Sequence, residues 1–194
     1  MNEIKMQEEQ NQETGSEAQQ DYEAGQEFLK NGDVAQAANA FHNALIGFER
    51  ENNENGIANA SDKLIDICGD RGETEKALKH LERAYAICSK HSDRFSLFSL
   101  ERKKAGLIHQ SGNLDQAIAH YLDILDEYSA LHNPQGSVET LETLADIYLK
   151  KGEKAKAADA YRLAASIHQS FKHKQHAEEF LVKATAAEAR GEAS

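Results

Sequence analysis

Nine histidines, two cysteines and a surplus of carboxylates are the residues of this chain that could do chemistry. Imidazole can carry protons near neutral pH or bind a transition metal, a thiolate can attack or coordinate, and paired carboxylates can divide acid and base roles. Spacing decides whether they do. His42, His80, His120 and His168 fall on separate stretches of helical periodicity, and His91 and His132 fall near helix ends, where a cation favours the negative end of the helix dipole. His173 and His176 stand three apart, as two ligands on one helix face would. With no further ligand assigned beside them, no metal and no cofactor is expected. Cys68 and Cys88 match no CxxC spacing and read as small apolar fillers, reduced in an intracellular chain. Glu139 and Glu142 are a close pair, but 33 acidic residues make such pairs common. A glycine-rich phosphate loop, GxSxG and HExxH are all missing from the sequence. No catalytic residue is expected, and the chain does not read as an enzyme.

Composition narrows the partners. The 194 residues carry 33 acids against 22 bases, a net charge of −11, with one proline and no tryptophan. That charge opposes general binding to nucleic acid or to anionic membranes. No apolar run is long enough to span a bilayer, and Met1 to Gln12 lacks the apolar core of a signal peptide, so a cytoplasmic location is the default expectation. One local exception to the acidity is the run Arg102, Lys103, Lys104, which could grip an acidic segment of a partner.

What positions these residues is a repeat. Gly32, Gly72, Gly112 and Gly152 lie 40 residues apart. Each is followed at the same distances by Ala37, Ala77, Ala117 and Ala157, then by Phe41, Leu81, Tyr121 and Tyr161, then by Ala44, Ala84, Ile124 and Ala164. Four residues before each glycine lie Phe28, Cys68, Ile108 and Tyr148. Apolar residues between the glycines recur at three- and four-residue steps, the period of an amphipathic helix and not of a strand. Glycine can close a helix in the left-handed conformation, and Asp33 and Asn113 follow as N-caps with Gln36 and Gln116 three places on, as in a capping box. Each unit is therefore helix, tight turn, helix. Alanine one turn from a bulky side chain lets the two helices approach closely.

The pattern predicts helix pairs over about 17–31 with 34–52, 54–71 with 74–91, 94–111 with 114–132, and 135–151 with 154–172, then a helix over about 174–190. Asn133 caps the seventh helix with Pro134 in its first position. Residues 1–15, acidic and glutamine-rich without periodicity, are expected to be disordered. The repeats are expected at about 17–53, 54–92, 93–133 and 134–172 of a repeat domain over 16–190.

The first unit, Ala24-Gly25, Phe28, Gly32, Ala37, Phe41, Ala44, resembles the tetratricopeptide repeat signature, and the fourth, Leu144-Ala145, Tyr148, Gly152, Ala157, Tyr161, Ala164, is similar to it. The resemblance covers about residues 18–172. A period of 40 exceeds the family's usual ~34. It resembles the long-repeat branch, such as kinesin light chains and some bacterial peptide-responsive regulators. HEAT-type repeats run near this period but do not ordinarily carry this spacing. Units two and three depart further, with Ile65 and Ala105 at the position of Gly25, and with Lys104 where the motif expects a buried leucine. Lys104 is expected to snorkel to solvent or to pair with Glu101.

The resemblance implies an all-α fold: a right-handed α-solenoid of four helix-turn-helix repeats plus a C-terminal capping helix. It implies a protein-interaction scaffold that takes a peptide or helix of another protein in a concave groove lined by the first helix of each unit. Carried over by position, the groove residues are Tyr22, Gln26 and Lys30 in the first unit, and Asn59, Lys63 and Asp66 in the second. The third contributes Arg102, Lys103 and His109, and the fourth Glu142, Thr143, Asp146 and Lys150. The carboxylate clamp by which some members hold a chaperone tail does not fit: Tyr22, Gln26 and Lys63 occupy its positions, and Lys103 alone is roughly compatible. Two other readings are a co-chaperone without a standard clamp and a self-associating assembly protein. The last helix, with Phe180, Leu181, Val182 and Ala184, reads as a cap and not a dimer interface. A weak homodimer would form at the N-terminal edge, around Phe28 and Leu29.

Overall fold

The computed structural model describes residues 15–189, and among these every regular element is an α-helix. Nine helices follow in order: α1 (Glu17–Lys30), α2 (Val34–Arg50), α3 (Glu54–Asp70), α4 (Thr74–Lys90), α5 (Arg94–Gln110), α6 (Leu114–Ala130), α7 (Pro134–Lys150), α8 (Lys154–Ser170) and α9 (Lys174–Ala189). The chain has the all-α repeat-solenoid fold expected from its glycines. The acidic segment expected to be disordered lies, up to residue 14, outside the described residues, as does Arg190.

The turns explain the regular helix lengths. Every twentieth residue from Gly32 to Lys172 has a positive φ; glycine fills alternate turns and Asn52, Ser92, His132 and Lys172 the others. At Gly32, the N–H of Asp33 donates to the carbonyl of Phe28 at 2.8 Å, and the N–H of Gly32 to that of Leu29 at 3.1 Å. This is the Schellman arrangement, which satisfies the last carbonyls of a helix while reversing the chain. The same pair of bonds recurs at Asn52, with Asn53 to Phe48 and Asn52 to Glu49, and at Lys172, with His173 to His168 and Lys172 to Gln169. The repeat of 40 is thus two near-identical half-repeats of 20. The sequence showed the breaks between pairs but not their left-handed residues: Asn52 and His132 are types enriched in that conformation, whereas Ser92 and Lys172 are not.

The first helix of each pair is capped by a side chain. Ser16, Asn53, Asp93 and Asn133 each accept from a backbone N–H three residues on. Second helices mostly start without this. Asn113 accepts from the Gln116 N–H at 3.3 Å, the expected cap, but the return bond runs from its side-chain amide to the Gln116 side chain at 2.9 Å and not from its backbone N–H as in a capping box. Asp33, expected to cap in the same way, makes no side-chain cap bond.

The chain divides into two compact units, residues 1–107 and 108–194, with the division inside α5. In the first unit, Phe41, Leu45 and Phe48 of α2 are buried with Ala18 of α1 and Ala60 and Leu64 of α3. Each large side chain stabilises by about 2–3 kcal/mol relative to exposure. A second cluster joins Ile65 and Cys68 of α3, Leu81 and Cys88 of α4, and Leu100 and Leu107 of α5. Both cysteines are free and buried, and burial raises their thiol pKa values, as befits apolar fillers. In the second unit, Tyr161 and Ala164 of α8 pack with Leu141 and Ala145 of α7 and Phe180 and Ala184 of α9. The last helix therefore covers the fourth pair, as expected of it. Lys104 is half-exposed with Nζ 3.9 Å from Glu101, which meets the anomaly noted in the sequence. Phe28 is partly buried against the first unit's core and Leu29 is 36% exposed.

Close approach of helices rests on ring-over-glycine contacts. A Cβ on Gly56 would meet the Phe48 ring at 2.4 Å, and one on Gly136 would meet the Tyr128 ring at 2.4 Å. Gly136→Ala is expected to destabilise by about 1–3 kcal/mol through overpacking, read from urea unfolding; a loss under about 0.5 kcal/mol would show that the seam is loose. His80 on α4 supplies a pH test. Its Nδ1 is buried with no hydrogen-bond partner, and burial, then Arg83 and His42, hold its pKa below the usual imidazole value. A depressed folded pKa means that the unfolded chain takes up the proton more readily, so this contribution is complete above the ordinary value and is lost as pH falls below it. His80→Gln should flatten the fall in melting temperature between about pH 7 and pH 5, where ordinary imidazoles titrate; an unchanged slope would remove His80 from the account.

Candidate functional site

The residues read from the sequence as a groove lie on the first helices of the pairs, and the structure decides which of them meet. In the first unit the centre is Asp62 of α3, which the sequence reading passed over. Lys103 of α5 donates to Asp62 Oδ1 at 2.6 Å and to its backbone carbonyl at 3.3 Å, and its Nζ lies 2.7 Å from Asp66 Oδ1. Lys63 Nζ stands 3.9 Å from the other Asp62 oxygen. Lys103 is only about one-fifth exposed, and with Lys104 facing Glu101 the run from Arg102 to Lys104 is not the open basic patch that its sequence implies. The physical reason is a carboxylate pair one repeat earlier on the neighbouring first helix.

Tyr22 also behaves differently from a free groove residue. Its ring is edge-on to Phe41 at 5.3 Å and tilted over Phe48 at 6.3 Å. Burial first, and then the charge of Asp62, raise its phenol pKa, while a hydrogen bond with Gln26 opposes them. Tyr22 is thus a core residue with a polar tip at the face. Gln26 and Asn59 are exposed, and Lys30 pairs with Glu27 at 3.2 Å.

Of the five candidates in the second unit, the structure brings Lys150 and His109 into contact, with Asp146 acting on His109 through its charge. Lys150 at the end of α7 places Nζ 3.1 Å from His109 Nε2. The His109 ring stands edge-on to Tyr121 at 6.2 Å. Burial and then the Lys150 ammonium hold the His109 pKa below the ordinary value, against the pull of Asp146. A neutral imidazole can accept from the ammonium, so the contact is a hydrogen bond and not a clash of charges. Asp146 accepts from the Tyr161 hydroxyl at 3.1 Å. Glu142 pairs with Lys183 of α9, whose Nζ lies 4.9 Å from the centre of the Phe180 ring and 5.8 Å from that of Tyr161. Thr143 Oγ1 is occupied by the carbonyl of Glu139 at 3.0 Å.

A common spacing runs through these contacts. Lys103 reaches Asp62, Lys150 reaches His109 and Lys183 reaches Glu142, each 41 residues back along the chain. Opposite charges at that separation were the signal that could have identified Asp62 and Lys183. Within each unit these contacts pair a lysine with a carboxylate or an imidazole on the preceding first helix.

His173 and His176 do share a face, and the structure adds a third ring. His168 lies 5.8 Å from His173 and 5.2 Å from His176, stacked on the latter. Even so, among the described residues no group of three or more donors is placed to hold a metal ion. No helix of the described residues is long and apolar enough to cross a membrane.

These features are those of an all-α repeat solenoid, and part of the chain is similar to a known repeat family. Residues 96–170 match the family model for the tetratricopeptide repeat. Among solved structures, the apo form of RapI is similar with a TM-score of 0.75 at 19% identity, over 97% of this chain and 54% of RapI. A Rap protein complexed with Competence and Sporulation Factor gives 0.60 at 18% identity, over 88% of this chain and 52% of that one. BtubC (BKLC) from P. vanneervenii gives 0.54 at 15% identity, over 88% and 79%. The chain spans about half the length of the Rap proteins that it matches. No curated protein sequence matches it. At these identities the likeness is one of fold.

The His109 environment is open to a direct check. Replacing Lys150 by methionine removes a cation that disfavours the imidazolium, so the His109 pKa, followed by NMR, should rise; Asp146→Asn should lower it. A pKa unmoved by both changes would mean that the side chains do not sit as described.

Proposed function

We propose that the chain is a binding module, not a catalyst, and that it holds a peptide or helical segment of a partner protein along the face of its first helices. The observation that carries this reading is the row His109, Glu142, Asp146, Lys150 and Lys183. Lys150 of α7 reaches His109 of α5 and Lys183 of α9 pairs with Glu142 of α7, while Asp146 accepts from Tyr161 of α8, so acids, cations and a neutral imidazole share the row. An extended segment crossing such a row can exchange these internal contacts for its own backbone and side-chain bonds. The tetratricopeptide match over residues 96–170 includes four of these five residues, and the Rap structure complexed with Competence and Sporulation Factor supports the reading by likeness of fold. In the first unit, taken by itself, the equivalent candidates are Gln26, Asn59, Asp66 and Arg102. Tyr22, Lys63 and Lys103 support them by packing and pairing.

A photo-crosslinking residue tests this, placed in turn at Thr143, at Lys150 and at Leu122, the last 43% exposed on the second helix α6. In native lysate the same partner should be trapped from 143 and 150 and at least tenfold less from 122. Capture from 122 alone would move binding to the second-helix face. Glu142→Lys with Lys183→Glu, which keeps the pair but reverses it, should weaken capture without changing the melting temperature.

A further inference from the structure

The repeat leaves one seam built unlike its equivalents. The last turn of each second helix faces the first turn of the next helix through residues eight apart. At 48 and 56 the Phe48 ring lies over Gly56, and at 128 and 136 the Tyr128 ring lies over Gly136. At 88 and 96 both residues are small, Cys88 and Ser96. At 168 and 176 they are His168 and His176, stacked at 5.2 Å and 24°. His173 stands where Asn53, Asp93 and Asn133 cap the earlier first helices, and Phe171 where Glu51, His91 and Leu131 stand. His168 takes the ring position of Phe48 and Tyr128, but the rings at 173 and 176 replace the cap and the glycine or serine of the earlier seams.

Beside them opens a cavity of about 450 Å³. Its walls are mainly apolar, with Pro134 and Val138 of α7, Ile167 at the end of α8 and Phe171 in the turn; Gln135, Glu139 and the three imidazoles supply its polar groups. That volume, an apolar lining and a few polar groups are the properties of a small-molecule site. Phe171 and His173 are stacked at 28°, and His168 is nearly parallel to both His176 and Phe180, so flat rings line the space.

We propose that this cavity binds a small aromatic carboxylate, its ring between Phe171 and the α7 wall and its carboxylate on the imidazoles of His173 and His176. Charge favours an anion in spite of the acidity of the chain. The turn from Phe171 to His176 holds Lys172 and Lys174 and no acid. One carboxylate, Glu139, lines the α7 wall, where Gln135 donates to it at 3.0 Å; Glu179, which lies outside the lining, accepts from Gln175 at 3.3 Å. Burial first, then His176 and His173, disfavour the charged form of His168, and Glu179 opposes them. A bound carboxylate reverses that balance among the three rings, so binding takes up a proton and tightens as pH falls. This site is separate from the first-helix face proposed for a protein partner and does not depend on it.

The probe is 2-naphthoate, titrated calorimetrically into the full chain at pH 6 and pH 8, with neutral 2-naphthamide in parallel. Naphthoate should bind at pH 6 at least tenfold more tightly than at pH 8, and at least tenfold more tightly than naphthamide. The variant His173→Ala, His176→Gly restores the glycine found at Gly56 and Gly136, so it should keep its melting temperature while losing naphthoate binding at least tenfold; Phe171→Ala should lose binding of both probes. No binding at millimolar naphthoate overturns the proposal. So does equal affinity for acid and amide, affinity independent of pH, or full binding by the folded double variant.

Discussion

A left-handed residue at every twentieth position is the constraint on which the rest depends. Each such residue lets two backbone N–H groups turn back onto the carbonyls of the helix just ended, so the chain reverses with its polar groups satisfied. Seven consecutive helices, α2 to α8, are therefore each 17 residues long. Equal lengths deliver each apolar stripe in the same phase, and a 17-residue helix buries little unless its neighbours cover it. Where the turn residue is Asn52, Ser92, His132 or Lys172, tertiary packing holds a conformation that the residue itself disfavours.

Equal phase makes sizes complementary by position. Gly25 and Phe41, Gly56 and Phe48, and Gly136 and Tyr128 are pairs in which a missing side chain makes room for a ring. The alanines at 37, 77, 117 and 157 are all fully buried, as close helix crossings need. Equal phase also places charges. On the first-helix face a cation meets a group 41 residues earlier in three places, and these rungs are made of opposite charges at Lys103 and Lys183 and of a neutral imidazole at Lys150. Lys103 and Lys183 are thus already partnered by internal carboxylates, with which a segment bound as proposed would have to compete.

Departures from the repeat carry the information about binding. His168 keeps the ring position of Phe48 and Tyr128, whereas His173 and His176 replace the cap and the small residue of the earlier seams; with Phe171 they line the same cavity. His80 departs in another way, as a ring in a second helix with a buried nitrogen left unbonded. Such a group costs stability and marks where the fold is most sensitive to acid.

The helices, their turns at glycine, the alanine columns and the capping helix were legible from the order of residues, because local periodicity and the conformational freedom of glycine need no distant partner to express themselves. Asn113 with Gln116 was legible for the same reason. Asp33 as a side-chain cap was not, since its orientation is set by the turn in which it sits. The face of the first helices was legible as a row of positions but not as a set of free side chains. Tyr22 turns into the core because Phe41 and Phe48 offer it an aromatic surface, and Lys103 is drawn to Asp62 and Asp66 by charges a full repeat away. The third imidazole beside His173 and His176 comes from the other arm of a turn. Local order thus determined the elements and their phase, whereas burial and electrostatics between elements, which act through space over some 41 residues of chain, decided which side chains remain available to a partner.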